Sequence, residues 1–190
     1  VQTCALPIFL VDGRCTILFE RHKFNQYLTA ALKSADTLLR VSKTIGLVKA
    51  NAEEVMSRIR EVYPNICSKS PGGYKGKEAE YPRLDAAKLL DLESAFKSAS
   101  WGRFQIMGFN HMLAGYSSAV EMAMAYEYSE VAQLKSLATF IKAQPAMLSA
   151  LRARNFAKFA ELYNGKDYAK NNYDGKMDAA ERKWAKALAA

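Results

Sequence analysis

Apolar residues recur at three- and four-residue steps along most of this chain, the spacing that gathers them on one face of an α-helix. Phe24, Tyr27, Leu28, Ala31, Ala35 and Leu38 form a first set, and Val55, Ile59 and Val62 a second, the two joined near Gly46. Leu89, Leu92, Phe96 and Ala99 make a third, and Val131, Leu134, Ala138 and Ile141 a fourth, after a Ser-rich start near Ser117. Pro145 parts that helix from the next, whose stripe of Phe156, Phe159 and Tyr163 stops at Asn164-Gly165, an ordinary helix end. Met177, Ala180, Trp184 and Leu188 give a last stripe in an Ala-rich tail. The pattern predicts about seven helices and no internal repeat at a period of roughly 20 to 50 residues.

Two stretches break the helical period. Asp12-Gly13 is a turn signal, and Thr16 to Phe19 is short, apolar and partly β-branched, which predicts a turn and a brief extended segment. Between Asn65 and Tyr81 stand Pro71, Gly72, Gly73, Gly76 and several lysines without period, ended by Pro82, which predicts a long exposed loop. The expected fold is mainly α, with a small irregular or β corner near residues 9–19.

The 190 residues, 50% hydrophobic and 24% charged, suit one folded domain or at most two small ones, and rule out collagen-like, low-complexity or wholly disordered chains. No apolar run approaches the roughly 18 residues that a membrane span needs, so none is expected. Residues 1–8, VQTCALPI, show no helical period, strand alternation or turn chemistry and make a poor secretory signal. A non-native or disordered start is expected there, with one domain over 9–190. Three cysteines without a Cys-x-x-Cys spacing and two histidines predict neither a disulfide framework nor a metal site. The net charge of +8 draws the chain to anionic polymers: nucleic acid, anionic lipid, or a cell wall rich in carboxylate and phosphate. Its basic residues are spread over several segments without a nucleic-acid-binding signature, so no specific nucleic-acid partner is expected.

Three clusters carry candidate chemistry. KSASWGRFQIMGFNH, residues 97–111, mixes Trp101, Phe104, Met107 and Phe109 with Ser98, Ser100, Gln105, Asn110 and His111, broken by Gly102 and Gly108. Ring faces beside amide and hydroxyl groups are what a sugar-binding cleft requires. A Gly within helical pattern, costing about 1 kcal/mol against Ala, is tolerated where something approaches the backbone closely. A buried helix start with polar neighbours explains the same residues. In ILFERHKF, residues 17–24, Glu20 stands against Leu18, Phe19 and Phe24, the apolar setting in which a general acid keeps its proton, while Arg21 pushes the other way. An Arg-paired structural carboxylate at a helix entry is the alternative, and His22 is equally open. FAELYNGKDYAKNNY, residues 159–173, carries Tyr163 and Asn164 among further Tyr and Asn, which suit sugar hydrogen bonding and an ordinary turn alike. Glu93, one helical stretch before Trp101, either reaches the same cleft or is solvated.

SASWGRFQIMGFN (98–110), supported by DGRCTILFERHKF (12–24), GGY (72–74), EYPRLDAA (80–87) and FAELYNGKDYAKNNYDGK (159–176), resembles the N-acetylmuramidase domain of phage endolysins and related bacterial cell-wall hydrolases, within the lysozyme-like superfamily. The resemblance implies a lysozyme-like helical fold, no cofactor, and hydrolysis of the β-1,4 bond between N-acetylmuramic acid and N-acetylglucosamine in peptidoglycan. Such chemistry asks for a protonated acid at the glycosidic oxygen and a second group that stabilises the oxocarbenium-like transition state or positions water. Ser100, Trp101, Gly102, Gln105, Met107, Asn110, Tyr163 and Asn164 would then line the glycan cleft. Glu20 is the candidate catalytic carboxylate and Glu93 a second candidate acid.

The family's acid, expected in a Glu-Ser-Gly-like motif at a helix end just before the Phe-Leu-x-Asp-Gly-Arg segment, meets VQTCALPI here, which holds no carboxylate. The expectation is that the acid and its first helices are lost from this chain, with Glu20 serving instead as the alternative. A general acid contributes typically about 100- to 10,000-fold, so glycan binding with poor cleavage is expected. The resemblance also implies synthesis in the bacterial cytoplasm without a signal peptide, and action on the wall after release. The partner is then the peptidoglycan glycan strand, and a monomer is expected. A non-catalytic wall-binding module and a lytic transglycosylase acting on the same bond are the competing readings.

Overall fold

The computed structural model describes residues 9–10 and 12–189, so the start expected at residues 1–8 lies outside the described residues. The chain divides into two compact units, one running to Leu137 and the other from Ala138 onward. Among the described residues there are ten α-helices and a three-stranded sheet, a mainly α architecture.

The first unit opens with a turn in which the Leu10 N–H donates to the Arg14 carbonyl and Phe9 bridges Cys15. Strand β1 (Ile17–Phe19) leads into helices α1 (Arg21–Ala31), α2 (Ala35–Thr44) and α3 (Ala52–Val62). Asn51 starts α3 with a capping box: its side chain accepts from the Glu53 and Glu54 N–H groups while Glu54 accepts from the Asn51 N–H. Helix α4 (Tyr81–Leu90) begins with Pro82 in its first turn, where a missing N–H costs nothing. Then come α5 (Leu92–Lys97), strands β2 (Ala99–Trp101) and β3 (Ile106–Met107), α6 (Ala119–Tyr128), and α7 (Glu130–Lys142), which runs past Leu137.

The sheet is antiparallel in the order β1-β2-β3, with Ile17 opposite Trp101, Phe19 opposite Ala99, and Ser100 opposite Met107. The corner expected near 9–19 is therefore half of a structure completed by residues 99–107. Gly102, placed by its pattern inside a helix, lies instead in the tight turn between β2 and β3 at φ +70°. Phe19, Phe24, Leu28, Ile59, Leu84 and Tyr126 are fully buried around this sheet and its helices. Each such side chain contributes about 1.5–3 kcal/mol by leaving water.

Ten helices form where the pattern predicts about seven, because polar residues cut continuous stripes. Asp91, at φ −156°, ends α4 and caps α5: its carboxylate accepts from the Ser94 N–H at 3.0 Å and pairs with Arg40 at 2.7 Å. The expected helix through Leu89 and Ala99 is thus two helices followed by a strand. Ser129 parts α6 from α7 in the same way, its hydroxyl accepting from the Ala132 N–H at 3.1 Å. The loop expected to be long and exposed over 65–81 is only partly so. Ile66, Cys67, Glu80 and Tyr81 are buried, and Lys77–Glu80 forms a short 3₁₀ turn.

The second unit holds α8 (Pro145–Arg152), α9 (Phe156–Asn164) and α10 (Tyr173–Leu188). Pro145 and Asn164-Gly165 bound these helices as their sequence requires, with Gly165 at φ +84°. The last stripe is helical, yet Trp184 and Leu188 are exposed rather than packed.

Candidate functional site

Glu20 is the residue where β1 becomes α1. Its N–H donates to the Ser98 carbonyl at 2.9 Å, which ties it to the approach to β2, and its extended backbone precedes the first helical residue, Arg21. The side chain makes no cap bond and is 12% exposed. The Tyr74 hydroxyl lies 2.9 and 2.8 Å from the two carboxylate oxygens and donates to them, and His22 Nδ1 lies 3.2 Å from Oε2. Burial, followed by the Glu20 hydrogen bond and charge, pushes Tyr74 up to about 12, so its phenol keeps the proton it donates.

Tyr74 arrives by way of the loop after α3. Arg21, which the alternative reading pairs with Glu20, turns away and donates to three loop carbonyls: Pro64 at 3.1 Å, Ser70 at 3.1 Å and Pro71 at 3.0 Å. Gly73 lies so close that a Cβ there would meet the guanidinium at 3.3 Å, at a φ of +78°. The Gly-Gly-Tyr segment is therefore a strap drawn over Arg21, and it brings Tyr74 onto Glu20. Sequence reasoning singled out GGY without giving Tyr74 a part. The signal available was the glycine pair, a place where backbone must pass close to something.

A second carboxylate stands behind the same strand. Glu80 is fully buried, accepts from the N–H groups of Phe19, Lys75 and Gly76, and forms an ion pair with Arg83. Arg83 in turn donates to the Phe19 carbonyl at 3.0 Å and the Asn65 carbonyl at 2.8 Å. This pair joins β1, the strap and α4. It lies in EYPRL, where the sequence shows an acid and a base but not their burial.

The β2–β3 hairpin brings Ser100, Gly102 and Gln105 together. The Ser100 hydroxyl donates to Gln105 Oε1 at 2.7 Å, and Gln105 Nε2 donates to the Gly102 carbonyl at 2.8 Å, with Gln105 itself at φ +51°. A Cβ on Gly102 would collide with Gln133, whose Oε1 accepts from the Arg103 N–H at 2.9 Å. Ser100 and Gln105 thus spend these hydrogen bonds holding the turn. Trp101 is 1% exposed, stacks on Phe96 with ring centroids 5.2 Å apart, and donates from its indole to the Phe96 carbonyl. Met107 and Asn110 are half-buried, on β3 and in the 3₁₀ turn after it. Gly108 packs so tightly on the Phe96 backbone that no Cβ fits.

Glu93 lies on α5, where it accepts from the Ala119 N–H at 3.2 Å at the head of α6 and stands 3.4 Å from Lys97. Tyr163 and Asn164 belong to the second unit. Tyr163 stacks on Phe159 and meets Phe140 edge-on, both with centroids within 5.9 Å, and Asn164 is the last residue of α9. Cys15 and Cys67 are buried thiols, pushed by burial up to about 12 and about 11. Among the described residues no three His, Cys, Asp or Glu side chains gather to hold a metal ion, and no helix is long and apolar enough to cross a membrane.

The sequence model of the N-acetylmuramidase family matches residues 5–185. Among solved structures the chain is similar to a Burkholderia AP3 phage endolysin, at 38% identity and a TM-score of 0.77, over 95% of this chain. The chain spans 60% of the length of that endolysin. No curated protein matches it. With a mainly α fold and a family match over nearly its whole length, the chain belongs to the N-acetylmuramidase family.

Proposed function

We propose that this domain hydrolyses the β-1,4 bond between N-acetylmuramic acid and N-acetylglucosamine in peptidoglycan, with Glu20 as its catalytic carboxylate. The observation that carries the reading, beside family membership, is the Glu20 corner: a partly exposed carboxylate held by a phenol and facing an imidazole. An oxygen acceptor fixed in this way is fitted to direct water or to face the positive charge that develops on the sugar ring. Met107 and Asn110 contact the glycan directly, and Ser100, Trp101, Gly102 and Gln105 shape the hairpin that presents them. Glu93 acts by fixing the head of α6, and Tyr163 and Asn164 are sugar-contacting residues of the second unit taken by itself.

Residues 1–8 hold no carboxylate where the resemblance expects the proton donor. The endolysin likeness supports action on the cell wall after release, and the acting unit proposed is a single chain. The test is to incubate the protein with purified peptidoglycan and measure new reducing ends and product mass, beside Glu20→Gln. Release that the substitution abolishes supports the proposal, and release that it leaves untouched removes Glu20. A 1,6-anhydro product in place of a hydrated one would make the chain a transglycosylase. Pelleting with the wall without any release would make it a binding module.

A further inference from the structure

Helices α4 and α6 flank an open pocket of about 300 Å³ in the first unit. Its floor is apolar, made by buried Leu84 and by Phe96 in its stack on Trp101. Its rim carries two cations and two carboxylates, Arg14 and Lys88 against Asp85 and Glu127. Tyr81 fixes one of each sign: the Arg14 guanidinium lies 3.8 Å over its ring, while its hydroxyl, 2.8 Å from the Cys15 carbonyl, donates to Glu127 Oε1, also at 2.8 Å. One phenol thus holds a cation over its ring face and an anion at its hydroxyl, beside a greasy floor. Arg14 and Lys88 also pair with Asp12 and Asp85. Those pairs are on the surface, where each contributes about 0–1 kcal/mol, so a ligand carboxylate displaces them at little cost.

A neutral sugar finds one exposed ring at this rim, Tyr128, but leaves two cations and two carboxylates without a matching charge. A ligand with an aliphatic body ending in both a carboxylate and an ammonium answers each feature: body on Leu84 and Phe96, carboxylate toward Arg14 and Lys88, ammonium toward Glu127. The geometry points to a site between α4 and α6 for the peptide stem of peptidoglycan, bound through a diamino-acid side chain that ends in a carboxylate and an ammonium. The inference rests on the peptidoglycan reading and adds a peptide contact to its glycan chemistry.

The test titrates the whole chain with the tripeptide L-alanyl-γ-D-glutamyl-meso-diaminopimelate, with its lysine counterpart that lacks the terminal carboxylate, and with N-acetylglucosamine tetramer. The diaminopimelate peptide is expected to bind, with the lysine peptide weaker by about fivefold or more, and with Lys88→Ala and Glu127→Gln each weakening the first by a similar factor. Glutamine at 127 still accepts from Tyr81, which keeps the fold intact. Equal binding of the two peptides, indifference to both variants, or no binding at a concentration on the order of 10 mM overturns the site. Tetramer binding that Glu127→Gln weakens also overturns it, by making the pocket a sugar subsite. Peptide binding as expected, in a chain that neither binds nor cleaves glycan, leaves this site standing and defeats the proposed hydrolase instead.

Discussion

Glu20 and Glu80 flank the same short strand, and nearly everything about their surroundings differs. Glu80 sees no solvent and has its oxygens filled by three backbone N–H groups and Arg83. Glu20 keeps 12% of its side-chain surface and is held by one phenol, with an imidazole nearby. A carboxylate whose acceptor sites are saturated by backbone is part of the frame, because any new partner must first break a buried bond. One held only by side chains and still partly exposed has capacity left for water or substrate. The three backbone donors on Glu80, against none described on the Glu20 carboxylate, are the plainest difference between the two.

The contrast is broken most severely at Glu80. Glu80→Ala leaves Arg83 buried and unpaired, and is expected to cost about 3–5 kcal/mol in urea unfolding. An unfolding midpoint close to the parent's would show that Glu80 is not the frame. Glu20→Gln is expected to do the reverse, lowering reducing-end release by about 100-fold or more while shifting stability by less than about 1 kcal/mol. A large loss of stability there would merge the two roles. Gly102→Ala, which drives a Cβ into Gln133 at a left-handed backbone position, is expected to cost about 2 kcal/mol and to loosen the hairpin without touching Glu20. Thermal unfolding of that variant at the parent's temperature would contradict the close approach.

Tyr74→Phe gives the smallest effect, about 1 kcal/mol at neutral pH from one hydrogen bond. Its signature is in alkali. Tyr74 is raised in the folded chain from 10.0 to about 12, so its contribution is present below pH 10.0 and lost as pH rises through about 12. Unfolding curves between pH 7 and about 11 should therefore fall less steeply for the phenylalanine variant than for the parent. Parallel curves would mean that Tyr74 does not hold Glu20 in solution.

Much of the architecture is legible from periodicity, since stripes such as Val55 and Ile59 or Phe156 and Phe159 need only local spacing to declare a helix. What periodicity misses are features that depend on partners far along the chain. Ala99 continues the helical step of Leu92 and Phe96, yet it pairs with Phe19, a contact that no local window contains. Asp91 and Ser129 read as tolerable helix residues until Arg40 and an unsatisfied helix start claim them. The carboxylate at Glu20 is legible from its apolar neighbours. Its phenol is not, because Tyr74 reaches it only through a strap whose anchor, Arg21, looks in the sequence like a partner for Glu20 itself.

The pairing of Ile17 with Trp101 also bears on how the chain reaches this state. Five helices intervene between the two strands, and they can form from nearby residues before the long loop between the strands closes. Loop-closure entropy therefore predicts that the sheet forms late, with the Glu20 corner, tied to Ser98 beside β2, assembled with it. An intermediate with its helices formed and its sheet open would have lost the corner entirely, so activity should return after helical signal in a refolding experiment. Partial unfolding that releases β2 first would dismantle the Glu20 corner while most of the helix content remains.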